Sequence, residues 1–159
     1  MSTDETHFAD EDGPSPTGGT GAFHEGACHC GAVRLRVRLA DGFATASRCD
    51  CSFCAMRGAV AVTAARDGVE VLQGAEHLRL YQFNTRVAEH WFCGTCGIYT
   101  HHRRRSDPNE FGVNAALFDG QGPFAQRQVP VHNGQVHERD DPDAPKLAGH
   151  LVWRPTGAD

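Results

Sequence analysis

The residues with the greatest chemical reach are seven cysteines in three tight groups: Cys28-x-Cys30, Cys49-x-Cys51-x-x-Cys54 and Cys93-x-x-Cys96. Thiolates at such spacings can converge on a single metal ion. In Cys93-Gly94-Thr95-Cys96-Gly97 the flanking glycines let the backbone curl, so that two sulfurs face one centre and make half of a tetrahedral site. A closed structural zinc needs four ligands, and the other two-cysteine element is Cys28-His29-Cys30-Gly31. These two pairs together make a four-cysteine site. Cys49, Cys51 and Cys54 remain, and three thiols can hold an ion without filling its tetrahedron, which is the arrangement of a catalytic zinc with an open position. The triplet could also be closed by His29, Asp50, His90, His101 or His102, which would make it a second structural site. Iron would suit all-thiolate sites as well as zinc, because geometry and availability select the metal more than affinity does.

Two other uses of cysteine are weaker. Scattered core cysteines would not cluster in this way, and a thioredoxin-like role for Cys93 and Cys96 needs a βαβ context that the surrounding sequence lacks.

The elements that must position these groups read as strands. Val33, Leu35, Val37 and Leu39 alternate with Arg34, Arg36 and Arg38, a strict period of two that suits a sheet with one wet face carrying the arginines. Further strands are expected at 59–63, 69–72, 78–83, 87–92, 98–102, 111–117 and 151–153. Arg66-Asp67-Gly68 is expected to be a hairpin turn between two of them, since Asp-Gly tolerates positive φ. Only 52–57 and 115–119 offer a helical turn, and neither sustains a 3.6-residue stripe. The expected fold class is all-β.

The chain has 159 residues, which suits one domain with its own core. Residues 1–26 hold six acids and no Lys or Arg, and the rest is close to neutral. There is no basic stripe for nucleic acid, no apolar run long enough for a membrane span, and no basic and apolar opening that would act as a secretory signal. Residues 1–22, acidic and then rich in Gly and Pro, read as a disordered tail, leaving 23–159 as a single domain. Cysteines grouped for metal fit the cytoplasm, which is the expected compartment.

Gly26-Ala27-Cys28-His29-Cys30-Gly31-Ala32-Val33, Cys49-Asp50-Cys51-Ser52-Phe53-Cys54 and Phe92-Cys93-Gly94-Thr95-Cys96-Gly97 stand in an order that resembles the glutathione-dependent formaldehyde-activating enzyme family, which also includes centromere protein V. Ile98-Tyr99-Thr100-His101-His102 and Gly112-Val113-Asn114 resemble its bacterial members. The resemblance covers nearly everything from residue 23. It implies a β-tent fold of short antiparallel strands with two zinc ions per chain, one structural on Cys28, Cys30, Cys93 and Cys96 and one catalytic on Cys49, Cys51 and Cys54. It also implies a carbon–sulfur lyase that relates formaldehyde and glutathione to S-hydroxymethylglutathione. Relatives commonly carry His between the first two triplet cysteines and a basic residue directly after the third. This chain has Asp50 there and Ala55-Met56 before Arg57, and a carboxylate beside three thiolates would oppose capture of a further thiolate.

On that reading the partners are a small aldehyde and a low-molecular-weight thiol such as glutathione. A free thiol is mostly protonated at neutral pH, and an ion in the open position would change that or polarise the aldehyde. His101, His102, His90 and Asp50 are candidates for proton transfer, the first two because they follow the second cysteine pair directly. In Arg103-Arg104-Arg105, Arg103 and Arg104 are the expected receivers of a thiol's carboxylates. The competing readings are a non-catalytic zinc-stabilised interaction module and a thiol-stress sensor built on the triplet.

Overall fold

The computed structural model describes residues 21–158. The expected tail therefore lies outside the described residues, apart from Gly21 and Ala22.

A seven-stranded sheet forms the body. Its members are β1 (Phe23–Ala27), β2 (Arg34–Leu39), β4 (Ala61–Gln73), β5 (Leu78–Tyr81), β6 (Glu89–Cys93), β7 (Tyr99–Arg103) and β8 (Glu110–Asn114). Their spatial order is β1-β2-β4-β8-β7-β6-β5, and every pairing is antiparallel. A smaller sheet joins β3 (Arg48–Cys49), β9 (Gln128–His132) and β10 (Leu147–Val152) in the order β10-β9-β3. The β3–β9 pairing is parallel, the exception to the antiparallel expectation. A bridge between Ser47 and Ala61 ties the entry to β3 to the start of β4, so the small sheet splays from the large one where the cysteine triplet begins. The only α-helix among the described residues is α1 (Ser52–Arg57), and Ala115–Leu117 forms a single 3₁₀ turn, both inside the two expected helical stretches, while a further 3₁₀ turn at Ala75–His77 falls outside them. Among the described residues, no helix is long and apolar enough to cross a membrane.

The alternation in β2 does what its period demands. Val33, Leu35, Val37 and Leu39 are at most 1% exposed and meet Val60, Val62, Ala64, Val113 and Ala115 in the core. Each such side chain contributes about 1.5–3 kcal/mol by leaving water. Arg34 and Arg36 face outward, beside Glu25 and Glu70. Arg38 breaks the expected wet face: it is buried, pairs with Asp67 at 3.4 Å and lies 5.6 Å over the Phe23 ring.

The expected hairpin at Arg66-Asp67-Gly68 does not form. Residues 61–73 run on as one strand, and β2 pairs with both of its halves, Leu39 opposite Ala64 and Val37 opposite Val69. Residues 65–68 fall between those pairs, opposite Arg38 alone, with Ala65 still paired to Glu110, so the Asp-Gly chemistry serves a bulge. Gly68 is needed for close approach, since a Cβ there would meet the Arg38 carbonyl oxygen at 2.7 Å.

Candidate functional site

The Cys28, Cys30, Cys93 and Cys96 sulfurs all lie within 4.8 Å of one another. Strand ends and turns bring them there. Cys28 follows β1 and donates its N–H to the Val33 carbonyl, while Gly31 closes the turn at φ +77°. Cys93 ends β6, and Gly97 at φ +78° donates back to the Cys93 carbonyl across the second turn. The Cys28–Cys30 and Cys30–Cys93 sulfur separations are 3.6 and 3.8 Å. A tetrahedron with zinc–sulfur bonds of 2.3 Å has an edge of roughly 3.8 Å, whereas a disulfide needs about 2.05 Å. These four residues fit a closed tetrahedral ion.

Cys49, Cys51 and Cys54 form a second group within the same 4.8 Å limit, and no fourth Cys, His, Asp or Glu among the described residues joins it. Cys49 ends β3, Cys51 is the N-cap of α1, and Cys54 sits in its first turn. The backbone N–H of Cys51 donates to the Cys49 sulfur at 3.4 Å, and that of Cys54 to the Cys51 sulfur at 3.3 Å. Without an ion the three thiols share one charge. Hydrogen bonds from the Cys49 and Cys54 thiols, helped by the N–H groups of Cys54 and Phe53, push Cys51 down to about 2, and the same sharing pushes Cys49 and Cys54 up.

A cavity of about 1150 Å³ opens over this triplet, between α1, the His90–His102 strand pair and the 132–147 segment. Its lining separates the expected site residues. His102 and Arg104 face it. His101 and Arg103 do not, because side chains alternate along β7. His101 is buried against Trp91 and Phe111, with Nδ1 3.0 Å from Thr100 Oγ1, and Arg103 is committed to Glu89 at 2.7 Å. The tandem His101-His102 is thus split by the sheet.

Asp50 lines the cavity, but its Oδ1 accepts the N–H groups of Gly134 at 2.6 Å and Gln135 at 3.3 Å. It anchors the loop that roofs the triplet. Gly134 packs directly on the cysteines: a Cβ there would collide with the Cys49 sulfur and come within 2.6 Å of Cys51 Cβ. His29 is exposed in the turn of the four-cysteine group, away from the triplet. Arg104 donates to Glu110 at 3.3 Å and to Thr63 at 2.9 Å, and Arg105 grips Asp140 through two hydrogen bonds.

The residue that sequence reasoning left without a role is Arg57. One guanidinium nitrogen donates to the Cys54 sulfur at 3.3 Å, the other lies 3.2 Å from His90 Nδ1, and the plane sits 3.6 Å over the Tyr99 ring. The signal was its i+3 spacing from Cys54, which one helical turn folds onto the same face. The basic partner absent from the position after Cys54 is supplied one turn later. Beyond it, His90 and His102 stack at 5.3 Å, and Tyr99 Oη lies 2.6 Å from His102 Nδ1. Burial, then the Arg57 charge, hold His90 down to about 4, and burial holds His102 well below the ordinary histidine range.

Residues 23–135 match the model of the family described as "Glutathione-dependent formaldehyde-activating enzyme". The chain belongs to that family. It is similar to a Halomonas elongata protein named "Putative glutathione-dependent formaldehyde-activating enzyme", at 40% identity over 80 residues, 45% of this chain and 50% of that one. The chain thus matches about half the length of that curated relative. A crystal structure of a Rhodobacter sphaeroides protein is also similar, at 59% identity and a TM-score of 0.66, covering 67% of this chain and 98% of that one.

Proposed function

We propose that this chain is a zinc-dependent enzyme of the carbon–sulfur lyase type, joining an aldehyde to a low-molecular-weight thiol in the manner of S-hydroxymethylglutathione synthesis. The observation that carries this reading is the cysteine triplet, which opens with no fourth ligand among the described residues onto a cavity of about 1150 Å³. Residues 23–159 act as one domain. Cys28, Cys30, Cys93 and Cys96 hold a structural ion, and Cys49, Cys51 and Cys54 hold the reactive one. An ion on the triplet would supply a position where a thiol is held as thiolate or an aldehyde oxygen is polarised.

The chain's own groups do the rest. Arg57 beside the Cys54 sulfur offsets the negative charge of three thiolates, which answers the objection that Asp50 raises, and the Asp50 oxygen is in any case turned to the Gly134 loop. His102, neutral and facing the cavity, is the candidate that carries the thiol proton to the product hydroxyl. Arg104 is the candidate partner for a thiol carboxylate, since Glu110 and Thr63 engage two of its five N–H donors. The aldehyde, the thiol and these partners meet in the cytoplasm, where thiols stay reduced.

The test is turnover of formaldehyde with glutathione, followed by NMR of the hemithioacetal, on protein assayed for zinc. Near two ions per wild-type chain with catalysed exchange, against one ion and no catalysis in a folded Cys51→Ser protein, is the expected result. Catalysis that survives Cys51→Ser overturns it.

A further inference from the structure

Arg57, His90 and the cavity carry a second conclusion, which rests on the enzymatic reading above. A guanidinium has only donors, so the His90 Nδ1 that lies 3.2 Å from Arg57 Nη1 must be the acceptor. The one proton of a neutral imidazole is then on Nε2. Neutrality follows from burial and from the adjacent guanidinium, both of which disfavour a second proton. Nε2 has no hydrogen-bond partner among the described residues, yet it is not sealed from solvent, and His90 lines the cavity.

The stacked neighbour is set the other way. Tyr99 Oη lies 3.1 Å from the Gly112 carbonyl, to which it can only donate, and 2.6 Å from His102 Nδ1. With the phenol proton on that carbonyl, His102 Nδ1 carries the imidazole proton, which leaves Nε2 of His102 as a lone pair. Two rings 5.3 Å apart thus present opposite polarities, a donor on His90 and an acceptor on His102. Arg57 is the common origin of the donor and of the positive charge beside Cys54.

We propose that Arg57 is the positioning residue of this site: it fixes His90 with its proton on Nε2, and that N–H donates a hydrogen bond to the aldehyde oxygen as the thiol adds. In the step the thiol sulfur bonds to the aldehyde carbon, the carbonyl π pair moves onto oxygen, and the thiol's proton ends on that oxygen. His90 keeps its own proton throughout and acts as a preorganised donor to the developing negative charge. Phe53, 4.5 Å from the His90 ring, and Phe83, stacked at 5.8 Å, hold the imidazole plane, so the donor needs no reorganisation.

The experiment uses the full-length, zinc-loaded protein. Long-range proton–nitrogen NMR of the imidazoles should show His90 with an unprotonated Nδ1 and a protonated Nε2, and His102 with the reverse. A proton on Nδ1 of His90 overturns the proposal whatever the activity. Arg57→Lys keeps the charge but not the fork, and Arg57→Met removes both. Both should retain two zinc ions while the His90 tautomers mix, and kcat for formaldehyde with glutathione should fall about 100-fold with KM changed only a few-fold. Unchanged kcat in a variant whose tautomers have mixed overturns the proposal. Absence of turnover in zinc-replete wild type instead overturns the enzymatic reading, while the imidazole spectra still report the Arg57–His90 arrangement on their own.

Discussion

The two cysteine groups use the same ligand atom in opposite settings. In the first group Cys28 and Cys93 are 4% and 0% exposed and belong to the hydrophobic core while Cys96 is half-buried and Cys30 exposed, whereas Cys49, Cys51 and Cys54 are all half-buried at the wall of a cavity. The first group is assembled by two turns far apart in the chain, whose backbone hydrogen bonds close on themselves. The second comes from one strand end and the first turn of one short helix, a single continuous segment. Two separate turns supply four ligands, and one segment supplies three. On the proposed reading, the difference between staple and reagent therefore lies in how many chain segments converge, with the residue type unchanged.

The sharpest way to break this comparison is to remove one sulfur from each group. Cys93→Ser takes a ligand out of the core and should cost most of the folding free energy that a structural zinc contributes, about 10 kcal/mol or more in small zinc domains. The expected outcome is loss of the cooperative thermal transition, against a near-native transition for Cys51→Ser. If Cys93→Ser melts like wild type, the four-cysteine group is not the staple.

A smaller effect is expected from Gly134→Ala. The new methyl would press on Cys49 and Cys51 from the roof of the cavity, against backbone and ligand atoms that cannot swing away. Overpacking of this kind costs roughly 1–3 kcal/mol, and here it should fall on the triplet alone. Zinc content should drop toward one ion per chain and the remaining ion should resist chelator, with only a few degrees lost in Tm. Loss of both ions together would show that the two sites are not separable.

How much of this was legible in the sequence follows from the same contrast. Cysteine spacing gave both groups because ligand geometry is local: a Cys-x-x-Cys turn constrains its own two sulfurs. The alternation of 33–39 gave a core strand for the same reason. The strand at 128–132 was hidden by Pro130, which reads as a breaker; β3 pairs only with Val131 and His132, just past it. The bulge at 65–68 was invisible because a bulge and a hairpin share turn chemistry, and only the partner strand distinguishes them. Arg57 and Gly134 escaped assignment, and Asp50 reads from sequence as a proton-transfer candidate instead of a loop anchor, because their roles depend on elements far apart in the chain: Asp50 meets residues 134–135 only when β3 and β9 pair. His101 and His102 were weighed as equals, and strand alternation separates them once residue 99 is known to start β7.

The last expected effect separates ligand chemistry from histidine chemistry in acid. On the proposed reading both cysteine groups release metal when their thiolates are protonated, so stability falls with pH on that account alone. His101 adds a separate share: burial holds it down to about 4, against an ordinary 6.5 in the unfolded chain. Between those values the unfolded state binds the extra proton, so this histidine's contribution is intact above pH 6.5 and is lost as pH falls toward 4, to a limit of roughly 3 kcal/mol. His101→Phe keeps a flat ring between Trp91 and Phe111 and removes the proton site. Chemical denaturation across pH 7 to 4 should show a shallower decline for the variant than for wild type, with zinc release from both groups at the same pH in each. Parallel declines would mean that His101 takes no part, and the pH response would then belong to the sulfurs and the other histidines held low by burial, His90 and His102 among them.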